Sequence, residues 1–273
     1  MKKKPDEIIF SACIWISVII TFSVLAFLIG YILIKGIPHI TPSLFALNYN
    51  SENVSLLPAL ITTLLMVCIS LTVAVPFGVF TAIYLVEYAK KGNRLVRIIR
   101  VTAETLSGIP SIIYGLFGML FFVTYLGWGF SLLAGSLTIA IMILPLIMRT
   151  TEESLKAVPD SYREGSFGLG AGRLRTVFRV VLPSSAPGLL AGIILAIGRI
   201  TGETAALMYT AGTIAKIPEN VFASGRTLAI HMYALSSEGL YTEQAYATAV
   251  VLLVLVAGIN ALSSYLAKKI AKV

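Results

Sequence analysis

Charge is scarce in this 273-residue sequence. Asp, Glu, Lys and Arg make up 12% of it, half the roughly 25% of a soluble domain. That shortfall excludes a globule clothed in polar surface. With 57% hydrophobic residues and a mean hydropathy of +0.90, lipid is the solvent for most of the chain. Cysteine is scarcer still. Cys13 and Cys68 both stand in apolar runs, which excludes a disulfide framework and thiolate metal ligation. The two histidines, His39 and His231, have no second ligand nearby in sequence and are expected as ordinary exposed side chains rather than a metal site. A complete Walker A pattern is also missing: Gly165-x-x-x-x-Gly170 runs into Ala171-Gly172 where Lys-Ser/Thr is required. The chain is therefore not expected to hydrolyse ATP by itself, and no nucleophile–base or ligand cluster marks it as an enzyme.

What is abundant is long apolar stretches. A bilayer core of about 30 Å takes about 20 helical residues, and six stretches qualify: 8–34, 57–86, 103–126, 132–150, 183–208 and 244–267. They are too long for barrel strands, and backbone groups in lipid must be satisfied internally, so helices are the workable conformation. The first stretch is too long for a signal-peptide core and lacks an Ala-x-Ala-like cleavage site, so it reads as an anchor. The formal charge of +8 does not indicate nucleic acid, because the basic residues lie in short runs between apolar stretches rather than along one soluble face. Seventeen of the 21 Lys and Arg fall at the N-terminus, in the second-to-third and fourth-to-fifth connections, and at the C-terminus. By the positive-inside rule that side is cytoplasmic. Both termini then lie inside, which six spans satisfy. The expectation is an all-α membrane protein, one transmembrane domain over 1–273, with a helical cytoplasmic loop over 151–182.

That loop is rich in charge and small residues. Asp160 is a candidate N-cap with Arg163 and Glu164 in the first turn. Gly170 is a natural helix stop, and a second amphipathic stretch runs to Leu182, with Pro183 opening the next span. The spacing predicts two short helices with a glycine bend at the membrane surface, where Arg173, Arg175 and Arg179 meet anionic headgroups.

Glu164-Gly165-Ser166-x-x-x-Gly170, followed after nine residues by Val180-x-Leu182-Pro183, resembles the EAA loop of ABC-importer permeases. Gly165 and Ser166 replace its two alanines, and Val180 its usual isoleucine. Leu106–Leu116 and Gly198–Ala205 resemble segments of the phosphate-importer permeases, and Ala206–Ala211 is closer to their PstA-type than their PstC-type subunit. The resemblance implies a coupling helix docking on ATP-binding subunits, with Arg163, Glu164, Gly165, Ser166, Gly168 and Gly170 as its coupling residues. It also implies two such subunits holding the ATP and Mg, a second permease subunit of the PstC type, an extracytoplasmic phosphate-binding protein, and residence in a bacterial or archaeal cell membrane. No cofactor is expected on this chain itself.

Within the spans, Arg199 and Glu203 are the informative charges, since intramembrane charge is costly and faces a bundle interior or an aqueous path. At i and i+4 they share a helix face and can pair. Two readings stand. With Thr201, they line a pathway or gate, the guanidinium engaging phosphate oxygens bidentately. Alternatively, they form a self-neutralising pair that fixes helix packing. Glu104 is expected to pair locally with Arg100 at a span end. Ser107, Gly108, Pro110 and Ser111 either mark a helix break with exposed backbone groups or permit close packing. Tyr31, Tyr84, Tyr88, Phe121, Tyr125 and Trp128 read as interfacial anchors.

Overall fold

The computed structural model describes residues 5–90 and 92–270; Lys2, Lys3, Lys4, Lys91 and Lys272 lie outside the described residues. Helix is the only regular structure among them. In chain order the helices are α1 (Pro5–Gly36), α2 (Leu57–Ile83), α3 (Arg94–Ser107), α4 (Ser111–Gly118), α5 (Leu132–Lys156), α6 (Asp160–Gly168), α7 (Arg173–Thr176), α8 (Leu182–Thr201), α9 (Ala205–Met208), α10 (Leu228–Glu238) and α11 (Thr242–Ile270). Wider π-helical turns extend α2 over Tyr84–Tyr88 and α4 over Met119–Tyr125, and join α7 to α8 over Val177–Val181.

Among the described residues, five helical stretches are long and apolar enough to cross a membrane: Phe10–His39, Leu57–Tyr88, Leu132–Lys156, Arg173–Gly202 and Thr242–Tyr265. A sixth is reached only by joining Arg94–Ser107 to Ser111–Tyr125, which bend by 102°. The expected third span, 103–126, is therefore not one helix. Asn93 starts α3 by accepting from the Leu95 amide at 2.9 Å, and Gly108-Ile109-Pro110 ends it, since Pro110 offers no amide to continue the ladder and disfavours helix before it. Tyr114 spans the break, its hydroxyl donating to the Leu106 carbonyl at 2.8 Å.

Two other boundaries move. α5 continues past 150 to Lys156, so the first residues of the expected loop are helix. The fifth span does not open at Pro183: the helix runs unbroken from Arg173, and it stops at Thr201 rather than 208.

The core is organised around α5. In its apolar window 67% of residues are buried, against 0% for α1, so α1 is a peripheral helix packed on α11. Small residues let the central helices approach. Gly78 of α2 faces Ile147, and a Cβ there would come within 2.8 Å of its Cγ2; Gly188 and Gly192 of α8 lie over Ser154 and Thr150. Ile139, Ile143 and Ile147 interdigitate with Met66, Ile200 and Leu207 in the main cluster. A second cluster of Leu85, Val96, Leu155, Val158, Val177 and Val181 fills the basic end of the bundle.

The opposite end is capped by the connection after α1 and by α10. Here His231 is fully buried, which corrects the expectation of an exposed side chain; its ring meets Tyr49 edge-on, with centroids 6.1 Å apart. Arg226 lies over the same Tyr49 ring, its guanidinium carbon 4.7 Å from the centroid. Burial first, and then the Arg226 charge, push His231 down to about 3; the nearby Val54 backbone pulls the other way, but neither ring nitrogen closes a hydrogen bond. His39 stays near the surface, 3.2 Å from Glu243.

Because folding lowers this pKa, the neutral ring contributes its full stability above the unfolded value near 6.5 and loses it as pH falls toward 3. The melting temperature of the purified protein is expected to decline between pH 6.5 and pH 4, and His231→Leu to flatten that slope; an unchanged slope in the variant would assign the acid sensitivity elsewhere.

Candidate functional site

The segment singled out by spacing forms an elbow at the basic end. α6 begins directly after Pro159, which occupies the N-cap position; Asp160 is the first helical residue rather than the cap. The helix closes at Gly170, whose φ of +81° is a left-handed conformation that glycine adopts at little cost. The Ala171 amide donates to Ser166 O at 3.1 Å and the Gly170 amide to Phe167 O at 2.9 Å, the paired closure of a Schellman cap. Ser166 and Thr176 hydroxyls, 2.8 Å apart, tie the two arms of the elbow together. The second arm is the start of the Arg173–Gly202 helix, so the elbow and the span are one rigid piece.

The exposed face of the elbow is open. Glu164, Gly165 and Gly168 are exposed, and a Cβ on Gly165, Gly168, Gly170 or Gly172 would meet nothing within 4 Å. Leu169 is 91% exposed and Leu174, Tyr162 and Phe167 are also exposed, an apolar rim on a polar loop of the kind that marks a protein contact. Arg163 does the opposite and turns inward. Its guanidinium donates to the Leu155 carbonyl at 2.9 Å, to the Val158 carbonyl at 2.8 Å, and to Glu87 at 2.7 Å. The resemblance grouped Arg163 with the docking residues; the structure turns its side chain inward, to the root of the elbow.

The second feature is a cavity of about 600 Å³ between α3, α5 and α8. Its walls carry the cations Arg100, Arg149, Lys156 and Arg199 against the carboxylates Glu104, Glu152 and Glu153. Buried Glu152 takes two of the cations, Arg100 at 2.7 Å and Lys156 at 2.6 Å. Arg149 pairs with Glu153 at 3.2 Å. The expected Arg100–Glu104 pair is absent, because Glu152 outcompetes Glu104 for Arg100. Arg199 has no carboxylate partner among the described residues.

The Arg199–Glu203 pair expected from i,i+4 spacing does not form either. α8 ends at Thr201, so Glu203 leaves the helix face that Arg199 shares; its Oε1 instead accepts the Ala206 amide at 3.1 Å and caps α9. Thr201 is buried, with its hydroxyl donating to Ile197 O of its own helix at 2.5 Å, and it does not reach the cavity wall. Arg149, Glu152, Glu153 and Lys156 were not singled out from the sequence. Their signal was available: two carboxylates and two cations at i, i+3, i+4 and i+7 over 149–156, which the 3.6 period places on one strongly charged face across two helical turns.

The cap assignment separates the two roles of Glu203. Glu203→Gln keeps an oxygen for the Ala206 amide and should leave thermal stability nearly unchanged, while Glu203→Ala should cost about 1 kcal/mol, read as a lowered melting temperature. Equal losses in both variants would restore an ionic role.

Comparison with known proteins places these features. Residues 74–272 match the family described as binding-protein-dependent transport system inner membrane component. The probable ABC transporter permease protein YqgI of Bacillus subtilis is 31% identical over 88% of this chain and 86% of its own length. The phosphate transport system permease protein PstA of Mycobacterium leprae is 35% identical over 74% of this chain and 67% of its own. Among solved structures, a chain of a bacterial ABC transporter that imports alginate superposes with a TM-score of 0.69 at 15% identity, covering 95% of each chain. A chain of the MetNI methionine ABC transporter gives 0.61 at 20% identity, covering 79% of this chain and 94% of that one. The helical fold, the elbow within residues 74–272 and these relatives agree: the chain belongs to the binding-protein-dependent transport system inner membrane components, as a multi-pass ABC importer permease of the bacterial inner membrane.

Proposed function

We propose that the chain is the PstA-type half of a phosphate importer. The observation that carries the cargo assignment is Arg199: a guanidinium without a carboxylate partner, on the wall of a cavity that holds four cations and three carboxylates. A planar fork of donors suits phosphate oxygens, and the surplus positive charge draws anions into a low-dielectric cleft. Relatives named as phosphate permeases at 35% and 36% identity support the same cargo.

In this reading the basic end faces the cytoplasm, as the distribution of Lys and Arg expects. Two ATP-binding subunits, carrying the ATP and Mg, dock on the exposed face formed by Glu164, Gly165, Gly168 and the Leu169 rim. Their closure rotates the elbow, and the unbroken helix into α8 carries that rotation to Arg199. A PstC-type permease completes the pathway, and an extracytoplasmic binding protein delivers the anion. The chain's own steps are mechanical and electrostatic: present a docking face, move α8, and offer Arg199 to the anion as the cavity opens on alternate sides. No bond is made or broken on it.

The test is ATPase activity of the reconstituted complex with its binding protein. Phosphate is expected to stimulate hydrolysis, and sulfate, molybdate or methionine to leave it at the basal rate; stimulation by one of those instead would reassign the cargo. Arg199→Gln should lower phosphate uptake by about 10- to 100-fold, the loss of one charge-assisted contact of about 1.5–3 kcal/mol, without lowering the amount of inserted protein.

Coupling is tested separately. Glu164→Lys reverses a charge on the docking face, and Gly170→Val forces a β-branched residue into a left-handed turn at about 1–3 kcal/mol. Both are expected to abolish uptake while the protein remains in the membrane. Retained uptake with normal hydrolysis in both would remove the elbow from the coupling path.

A further inference from the structure

A largely buried ion pair, Arg163 with Glu87, joins the elbow to the end of α2. Glu87 stands in the π-helical turn that ends α2, and its side chain is 8% exposed. Arg163, 76 residues later and 15% exposed, sets its fork on that carboxylate: Nη2 lies 2.7 Å from Oε1 and Nε lies 3.1 Å from Oε1 and 3.4 Å from Oε2. The remaining nitrogen, Nη1, donates to the Val158 carbonyl at 2.8 Å and reaches Asp160 at 3.2 Å, while Nη2 also holds Leu155 O. One guanidinium therefore joins three elements: the end of α2, the last turn of α5 with its exit, and the first turn of α6.

Burial decides what this contact does. An exposed pair contributes little, but breaking a buried pair leaves an uncompensated charge, so the two groups stay together wherever the elbow goes. The surrounding residues keep water out: Leu85, Leu155, Val158 and Val177 form one buried cluster around the contact's backbone partners. The elbow is thus held at two points. One is covalent, through the helix into α8. The other is this ion pair, through Arg163 into α2.

We propose that Glu87 is a positioning residue for coupling: through Arg163 it fastens the elbow to α2, so that a push on the elbow moves α2 and α8 together rather than α8 alone. The inference rests on the reading that the elbow docks on ATP-binding subunits. α2 and α8 both pack on α5 in the main core, so a push shared between them shifts the bundle as a body, whereas a push on α8 alone leaves α2 without a direct drive.

The experiment uses the whole complex in proteoliposomes and measures two rates at once, ATP hydrolysis and uptake of radiolabelled inorganic phosphate. Glu87→Gln keeps the shape and removes the charge. Uptake per ATP hydrolysed is expected to fall about tenfold while hydrolysis continues. If uptake and hydrolysis instead fall together, in proportion to the amount of assembled complex, the pair only holds the fold and the proposal is overturned. An unchanged uptake per ATP overturns it as well. Should Glu87→Gln fail to assemble, Arg163→Lys takes its place: it keeps a charge opposite Glu87 but loses the fork to Leu155 and Val158, and the same fall in uptake per ATP is expected. Wild-type complex without ATP-driven phosphate uptake would count against phosphate as the cargo; the ratio of uptake to hydrolysis is then read with whichever solute stimulates the wild-type ATPase, and the same outcomes decide the role of Glu87.

Discussion

A backbone amide or carbonyl without a partner in hydrocarbon costs several kcal/mol, and that constraint shapes this protein more than any single contact. It permits helices and forbids loops except where protein or water supplies partners. The chain breaks its helices twice inside otherwise apolar stretches, at Gly108–Pro110 and at Gly202–Thr204, and it places the two breaks side by side. α4 lies directly on α9, where Gly115 faces the backbone of Ala206 at a distance that no side chain would allow, 2.8 Å from a Cβ to Cα. Tyr114 serves the first break through the Leu106 carbonyl, and Glu203 serves the second through the Ala206 amide. Breaks that would each be costly alone are thus each given a side-chain partner for a freed backbone group.

The same logic ranks the charges. Glu152 is buried because two cations converge on it, and Arg163 because its donors meet carbonyls and a carboxylate. Arg199 has no such company, so its charge is neutralised least among those of the cavity. Structural ion pairs and a free guanidinium thus sit within one small cavity, and the difference between them is partner count rather than residue type. The fold neighbours handle methionine and alginate, which fits a scaffold whose specificity is carried by a few cavity residues rather than by the bundle.

Much of the architecture was legible because lipid is an unforgiving solvent. Five of the six apolar stretches are spans or parts of spans, and the elbow's glycine bend follows from Gly170 needing a positive φ. What the sequence hid is non-local. The i,i+4 rule pairs Arg199 with Glu203 only if the helix continues through Gly202, and packing of α9 against α4 and α5 ends it first. Arg163 reads as a surface residue of a charged loop until Glu87, 76 residues earlier, is seen beside it. His231 looks like an ordinary loop histidine, since nothing near it in the chain announces Tyr49 closing over its ring.

The wider turn at Val177–Val181 has a geometric consequence of its own. A π-turn accommodates one residue more than the α-helix would at the same length, and one residue advances an α-helix by about 100°. Everything beyond that turn, which is to say the elbow with Glu164 and Leu169, is therefore clocked about a quarter-turn or more away from where a regular helix would aim it. The direction in which the protein greets its nucleotide-bearing neighbour is set by a single inserted residue, a phase offset that ordinary substitutions leave intact and that a one-residue deletion would erase.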